Sequence, residues 1–363
     1  MRILVSGHHN PRFITITEYI ERAILRLGHG LVVFEDRRHL FPGRLRRRWA
    51  VLQRLSIAAI NRALVRLAER TRPDLILVTG GHRITRPTLD SLTRRGVPVV
   101  LWTTDPLKAT DPLPQTAPHY RAVFCQGSDA VELLRAAGVP GVRRLPMACD
   151  PEIHRPVALS EEERRHLGSP VVFVGSYYPH RAALLRRLTL CGLSIWGPGW
   201  DALAPGDPLR RCVRGPGIGP DRWVRIYSAA QVVLSIHYRS DDERFPVYQA
   251  SPRVFEALAC GAFLLTDRQP DVLSLFRDGE HLASFSGGEE LQRQILHYLR
   301  HPGERRRIAA AGRGEVLGRH TYVHRIEELL ECLDAGEGRR EGWAPRRDGG
   351  PFARRKPRGR AVT

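Results

Sequence analysis

The chain has 363 residues, of which 42% are hydrophobic, so it can bury the cores of two ordinary domains. Its net charge is +19, but only two of the 57 basic residues are lysine; we attribute the arginine excess to coding bias and expect no nucleic-acid partner. No apolar run approaches the ~18 residues that cross a bilayer, so we expect a cytoplasmic protein; peripheral contact of its arginine-rich segments with the anionic inner membrane face stays open.

The first 150 residues alternate short apolar runs with helical spacings, which is the pattern of βαβ units around a parallel sheet. The runs are apolar on both faces, as buried parallel strands are. The alternation stops between Met147 and Pro156, where we place the domain linker. The predicted strands of this half are Arg2–Ser6, Leu31–Phe34, Leu75–Val78, Val97–Trp102 and Ala122–Cys125, and its predicted helices are Thr15–Leu27 and Leu52–Leu67.

A second alternation follows the linker and ends near residue 334. We therefore expect an α/β fold of two doubly wound, Rossmann-like domains, 1–150 and 151–334, that face a cleft. Residues 335–363 are rich in Gly, Pro and Arg and are expected to be disordered. The second half is predicted to contain the strands Val171–Gly175, Leu193–Trp196 and Val232–Ile236, the helices Arg181–Leu190, Asp221–Ala230, Gly288–Arg300 and Tyr322–Leu333, and a helix, a glycine break and a strand within Ser251–Asp267.

Polar side chains follow two strands of the first half, where ligands of such sheets bind. His8 lies in the loop GHHNPR, and Asp105 lies in WTTDP. Both loops suit a ligand site. An ordinary βα loop explains the first equally well, and an Asx turn before Pro106 explains the second. A third loop, Thr79–His82, has paired glycines that allow close approach of a ligand or form a plain turn.

The second half carries a stronger pattern, FVGSYYPHR. Here a buried strand ends at Gly175 and a helix opens near Pro179, so free N–H groups and the Arg181 guanidinium could bind phosphate. A solvated arginine is the alternative interpretation. His237 follows another strand and either lines the cleft or is an ordinary loop histidine. Glu256 lies among apolar residues in SPRVFEALACGAFLLTD, and a buried carboxylate needs a partner.

The sequence contains little that indicates a metal site or a redox-active site. The six cysteines show no C-x-x-C or Cys/His metal spacing, and no D-x-D motif has a metal-binding context. We expect buried thiols in a reducing compartment, no metal and no resident cofactor.

Three stretches, MACDPEIHRP, FVGSYYPHR and SPRVFEALACGAFLLTD, resemble GT-B-fold glycosyltransferases, in particular the CgeB-like branch with its glycosyltransferase-family-1-like C-terminal domain. The resemblance implies a nucleotide-sugar donor bound by the second domain and an acceptor on the side of the first. It implies that Gly175, with Ser176 and Arg181 of the same stretch, faces the diphosphate and that Glu256 binds the ribose. The resemblance also places Ser251 and Arg253 near the sugar or diphosphate, with His237 a further candidate for the donor site.

One departure limits the resemblance. Many retaining GT-B enzymes carry two glutamates, and the first would fall at Tyr248, while Ser251 stands where the branch commonly has Asn. We expect a metal-independent, retaining transfer in which Arg181 stabilises the leaving diphosphate. An inverting transfer would need a protein base, for which Asp105 and His8 are the candidates.

Two other functions stay open. The missing glutamate also fits a GT-B-like nucleotide-binding protein without transfer activity, and the arginine excess fits a binder of nucleic acid or anionic surfaces. The acceptor could be a glycan, a lipid-linked glycan, a protein or a small molecule.

Overall fold

The computed structural model describes residues 1–39, 49–107, 113–216, 219–239 and 247–335. The first half of the chain forms one sheet of six parallel strands, ordered β2-β1-β3-β4-β5-β6. Because β3 lies on the opposite side of β1 from β2, the strand order reverses between β1 and β3. These strands are β1 (Arg2–Gly7), β2 (Gly30–Glu35), β3 (Leu75–Thr79), β4 (Val99–Thr103), β5 (Ala122–Cys125) and β6 (Val142–Arg144).

The second half forms another sheet of six parallel strands, ordered β12-β11-β10-β7-β8-β9, with its reversal between β10 and β7. Both sheets are thus doubly wound, which confirms the predicted α/β class. The strands of the second sheet are β7 (Ser169–Val174), β8 (Leu193–Trp196), β9 (Val213–Gly215), β10 (Ala230–Ser235), β11 (Leu264–Asp267) and β12 (Ala283–Phe285).

Helices cover both faces of the sheets. The α-helices are α1 (Ile16–Arg26), α2 (Ala50–Thr71), α3 (Arg86–Arg94), α4 (Leu113–Thr116), α5 (Ser128–Ala136), α6 (Glu161–Leu167), α7 (Pro179–Leu185), α8 (Pro220–Ala229), α9 (Pro252–Ala259), α10 (Pro270–Leu273), α11 (Gly288–Arg300), α12 (Pro302–Arg319) and α13 (Tyr322–Asp334). Short 3₁₀ turns are Asp36–His39, Ala117–His119, Arg186–Leu188, Trp200–Ala202 and Pro208–Cys212.

Local sequence explains where α1 begins and ends. Thr15 and Glu18 form a capping box at its start, and Gly28 adopts a positive φ of 77° just after the C-cap. Tyr19, Ile20 and other apolar residues of the helix are buried against the sheet. The predicted helix Thr15–Leu27 is therefore confirmed to within a residue at each end.

One predicted helix has the wrong end, and six described helices were not predicted, namely α3, α4, α5, α6, α10 and α12. The helix given as Arg181–Leu190 begins at Pro179, where the loop pattern predicted its opening, but it ends at Leu185 before a 3₁₀ turn rather than at Leu190. The 18-residue helix α12 was missed altogether. Its buried positions include Ala309 and Gly312, so its sequence shows only a weak apolar stripe.

The first part of the predicted linker, Met147–Asp150, is buried between the halves, whereas Glu152, Arg155 and Pro156 are exposed. Cys149 donates its N–H to the carbonyl of His320 (3.1 Å), and Tyr322 donates its N–H to the carbonyl of Cys149 (3.0 Å). The last helix, α13, then packs against α1. The domain limits 1–150 and 151–334 stay a prediction, and all but the first residue of the predicted tail 335–363 lies outside the described residues. Within the described ranges, no helix combines the length and the apolar character needed to cross a membrane.

Candidate functional site

A cavity of about 660 Å³ lies between the two halves, a size typical of small-molecule sites. Loops that follow strands of both sheets line it, together with the start of α9. The reversal points of both strand orders therefore open onto one cavity, which is where doubly wound sheets bind ligands. Six of the nine predicted site residues line it, namely His8, Asp105, Gly175, Ser176, Arg253 and Glu256.

The loop after β7 lines the cavity with Gly175 and Ser176, and both backbone groups of Gly175 are hydrogen-bonded within the protein. Gly175 donates its N–H to the carbonyl of Trp196 (2.8 Å), and its own carbonyl accepts the indole N–H of Trp200 (2.9 Å). A Cβ on neighbouring Gly197 would lie 2.1 Å from the Gly175 oxygen. The two loops pack so closely that only glycine fits at position 197.

Arg181 lies behind this loop and outside the cavity lining. Only 6% of the residue is exposed, and its Nη1 donates to the carbonyl of Ser176 (3.0 Å). Its guanidinium lies 4.9 Å from the ring centre of Tyr178, and its Nε is buried without a partner. Burial, and then repulsion from Arg253, lowers the pKa of Arg181 to about 10. A contact between Arg181 and a diphosphate stays a prediction.

His237 and Ser251 also lie outside the cavity lining. The fully buried His237 ring contacts Asp267 through Nδ1 (2.7 Å), and its Nε2 accepts the N–H of Ser251 (3.1 Å). Burial acts to raise the pKa of Asp267, but the hydrogen bonds from His237 outweigh it and lower that pKa. The histidine thereby holds Ser251 at the start of α9, the helix that carries Arg253 and Glu256.

Glu256 is the buried carboxylate of the cavity wall, with 8% of the residue exposed. Burial raises its pKa to about 7, and nearby Arg253 only partly opposes this. His154 lies 3.9 Å away, but burial lowers the pKa of that imidazole to about 4, so it is neutral at pH 7. Asp150 donates its N–H to His154 Nδ1 (3.0 Å), which leaves the Nε2 proton to face Tyr19 (3.2 Å) and Glu256.

The first half lines the cavity with a mixture of charges. Arg83 forms an ion pair with Asp36, and Arg37 lies beside them. Burial, and then Arg37, lowers the pKa of His8, whose Nδ1 is buried without a hydrogen-bond partner. Asp105 is exposed at the rim. Both predicted base candidates thus reach the cavity, and His8 is the more enclosed of the two.

Several lining residues were missed by the sequence analysis. Tyr19 and Tyr227 face the cavity from opposite halves, although both are also part of the core. Their helical spacing marks them as core residues, so the sequence carries no signal for this second role. Gly197 could have been found, because it begins the loop after a predicted strand in the same way as Gly175 does.

Comparisons with known proteins agree with this geometry. Residues 180–331 match the family described as glycosyl transferase-like. The spore protein CgeB of Bacillus subtilis (strain 168) is 23% identical over 265 residues, which cover 70% of this chain and 81% of CgeB.

Solved structures of similar fold cover nearly the whole chain. HepE of Anabaena, solved in complex with UDP-glucose, has a TM-score of 0.61 at 14% identity and covers 92% of this chain and 100% of its own. Sucrose-phosphate synthase of Thermosynechococcus elongatus has a TM-score of 0.65 at 13% identity. The match covers 92% of this chain and 99% of the synthase chain. The chain therefore has the GT-B fold, and its residues 180–331 match the glycosyl transferase-like family.

Proposed function

We propose that the protein is a glycosyltransferase that takes a sugar from a nucleotide-diphosphate donor in the cavity between its halves. The observation that carries the proposal is one wall of this cavity. There Gly175 and Ser176 of the loop after β7 and Arg253 and Glu256 of α9 line the same space, beside a strand-order reversal. HepE, which has the same fold, was solved with UDP-glucose.

The diphosphate of the donor fits the end of the wall that holds the arginines. Arg181 and Arg253 lie close enough for their charges to repel, and a bound anion would relieve this repulsion. As the sugar leaves, negative charge grows on the diphosphate, and fixed cations stabilise it without rearranging. We therefore propose a metal-independent reaction, with Arg253 in contact with the donor and Arg181 supporting the Gly175–Ser176 backbone from behind.

The ribose fits the other end of the same wall, at Glu256. Ribose hydroxyls donate hydrogen bonds, and a carboxylate in a partly apolar pocket is a strong acceptor for them. Binding would stabilise the ionised form of Glu256, whose pKa is raised to about 7 in the free protein. Donor affinity should therefore increase between pH 6 and pH 8.

The acceptor would lie against the first half, near His8 and Asp105. We propose retention of configuration, in which the leaving diphosphate accepts the acceptor proton. In an inverting reaction His8 or Asp105 would have to remove it, and both line the cavity.

A donor screen tests this function. Hydrolysis and transfer are measured with UDP-, GDP-, ADP- and dTDP-sugars, and the anomer of the product is identified by NMR. At least one donor should be turned over, and Arg253→Ala and Glu256→Gln should each reduce turnover at least a hundredfold. Arg293→Ala, an exposed position on α11, is the matched control. Full turnover in both site variants would contradict the assignment.

A nucleotide-binding protein without transfer activity is the second candidate. It is favoured by Tyr248, which stands where a sugar-contacting glutamate is expected and lies outside the cavity lining. Tight binding of a nucleoside diphosphate with no transfer from any donor would support it.

We also propose a cytoplasmic location with peripheral contact to an anionic membrane. Trp49, Val51 and Leu55 are exposed at the start of α2, beside the exposed Arg54. Aromatic and basic side chains together suit the headgroup region. Sedimentation with phosphatidylglycerol vesicles that weakens in Trp49→Ala and at high salt would support the contact, and no sedimentation at low salt would contradict it.

A further inference from the structure

The corner between α11 and α12 carries three potential metal ligands outside the cavity. His297 lies in the last turn of α11, His301 caps both helices, and Glu304 lies in the first turn of α12. Residues four apart share one face of a helix, which places the two imidazoles side by side. Within the described part of the chain, this is the one group of three His, Cys, Asp or Glu side chains whose ligand atoms all lie within 4.8 Å of one another.

The three side chains already point toward a common space. The imidazole rings stack with their centres 4.1 Å apart and their planes at 23°. His297 Nε2 lies 2.8 Å from a carboxylate oxygen of Glu304. Ligands of tetrahedral Zn²⁺ lie about 3.4 Å apart when the metal–ligand bonds are near 2.0–2.1 Å. Because His297 and Glu304 are 46% and 35% exposed, small side-chain rotations can reach that spacing.

His301 also makes the backbone hydrogen bond that is typical of a metal-binding histidine. Its Nδ1 lies 2.6 Å from the carbonyl oxygen of His297 and must donate a hydrogen to it. The neutral ring then keeps a lone pair on Nε2. Metal-binding histidines commonly hold their other N–H on a backbone carbonyl in this way, which fixes both the tautomer and the ring orientation.

We propose that His297, His301 and Glu304 bind one divalent cation of borderline softness, with Zn²⁺ as the best fit. Two imidazole nitrogens and one carboxylate oxygen are a common donor set for Zn²⁺, and water completes the shell. When the cation binds, His297 exchanges its proton through solvent from Nε2 to Nδ1, so that the ring stays neutral and offers the Nε2 lone pair, and Glu304 turns from the former N–H to the metal. The ion joins the end of α11 to the start of α12 and stabilises this corner. The spacing His-x₃-His-x₂-Glu was missed by the sequence analysis.

Calorimetric titration of the untagged, full-length protein with ZnCl₂ tests the site. We expect one site per chain with a Kd below about 50 μM. His301→Ala and Glu304→Gln should each weaken it at least tenfold, while His166→Ala, an exposed histidine on α6, should not.

The proposal is overturned if no site tighter than about 50 μM is found, or if His166→Ala weakens binding as much as His301→Ala. Binding that persists in a His297→Ala/His301→Ala variant overturns it as well. Co²⁺ gives an independent readout, because a four-coordinate site produces strong visible absorption bands that a six-coordinate one lacks. Sugar transfer should be the same in all these variants, so the outcome is separate from that of the proposed function.

Discussion

Glu256 shows how a side chain of the candidate site can act against stability. Its carboxyl group is buried beside Arg253, but the arginine does not offset the loss of hydration, and the pKa rises from 4.5 to about 7. The folded protein therefore holds a proton that the unfolded chain releases at lower pH. Stability is lost as the pH rises from about 4.5 to 7, and the loss is complete above that range.

Replacing this carboxylate by its neutral isostere should stabilise the protein at alkaline pH. For Glu256→Gln we expect the free energy of unfolding at pH 8 to increase by on the order of 3 kcal/mol. At pH 4 the change should be close to zero, because the wild-type carboxyl group is then protonated in the folded protein. Urea denaturation at both pH values measures it.

The control for that experiment is Glu327→Gln, an exposed position on α13. It should change stability by less than about 0.5 kcal/mol at either pH. Equal stabilisation by Glu256→Gln at pH 4 and pH 8 would show that burial of charge is not the cause.

Gly197 tests the close packing of the two glycine loops. Its φ is 145°, and an added Cβ would meet the carbonyl of Gly175 at 2.1 Å. Gly197→Ala should therefore displace the Gly175 loop, weaken donor binding at least tenfold and cost roughly 1–3 kcal/mol of stability. Calorimetry with the donor found by the screen, and thermal melting, measure the two effects.

Gly318→Ala, on α12, has nothing within 4 Å of the added Cβ and serves as the control. It should leave donor affinity unchanged. If Gly197→Ala kept both wild-type affinity and wild-type melting temperature, the loops would not be packed as described.

At the scale of elements, α1 is joined to the linker by a cluster of ion pairs around the buried Asp150. Asp150 is fully buried and accepts from Arg22 Nε (2.7 Å) and Arg26 Nη2 (2.8 Å). Burial acts to raise the pKa of Asp150, but the hydrogen bonds from the two arginines outweigh it and lower that pKa. The same arginines also contact Glu152, whose side chain is 62% exposed.

Asp150 and Glu152 contact the same two arginines but differ in exposure, so a comparison of the two isolates the effect of burying a charge. Asp150→Asn should lower the free energy of unfolding at pH 7 by roughly 2–4 kcal/mol. Glu152→Gln, at the same arginines, should cost less than about 1 kcal/mol. Chemical denaturation measures both, and equal losses would contradict the role given to burial.

The cost of Asp150→Asn should also depend on pH. A lowered folded-state pKa stabilises the protein above the ordinary value of 3.8, and this stability is lost as the pH falls through the folded value. The difference between wild type and variant should therefore shrink in strongly acidic solution.

At the scale of the molecule, the last helix belongs to the first half as much as to the second. Tyr322 is buried on α13, and its ring stacks on Tyr19 of α1 with centres 5.7 Å apart. Leu329 and Leu333 extend the same contact into one core cluster that contains residues of both halves. The linker that follows β6 and the last helix, α13, therefore contact each other here.

Two truncations separate this helix from the residues beyond it. A chain ending at Ala335 should keep its cooperative unfolding and its transfer activity, because the described cores end at Leu333. A chain ending at His320 loses α13 and exposes Tyr19, so it should be destabilised by more than about 4 kcal/mol and lose activity. Circular dichroism with thermal melting and the transfer assay test both. A stable, active chain ending at His320 would contradict the shared core.

Nine of the twelve described strands were predictable because each is a short apolar run between turn residues, whereas the three-residue strands β6, β9 and β12 were missed. Ala122–Cys125 and Leu193–Trp196 were predicted to the residue, as was the helix Gly288–Arg300. Helices with small buried residues, such as α12, give no such pattern. Of the site, the loops after β1, β4 and β7 and the helix that carries Glu256 could be located, because ligands of parallel sheets lie beyond the strand ends.

The sequence by itself determined the α/β class, the order of most strands along the chain and which loops line the cavity, since these follow from local apolar patterns and turn residues. Only the tertiary structure decided which side chains meet there. It places Arg181 and His237 behind the cavity wall and brings Tyr19 and Gly197 into it. It also packs α13, the last described helix, against α1, the first one. Such contacts join residues that are far apart in the sequence. They are decided by side-chain packing, which no local pattern encodes.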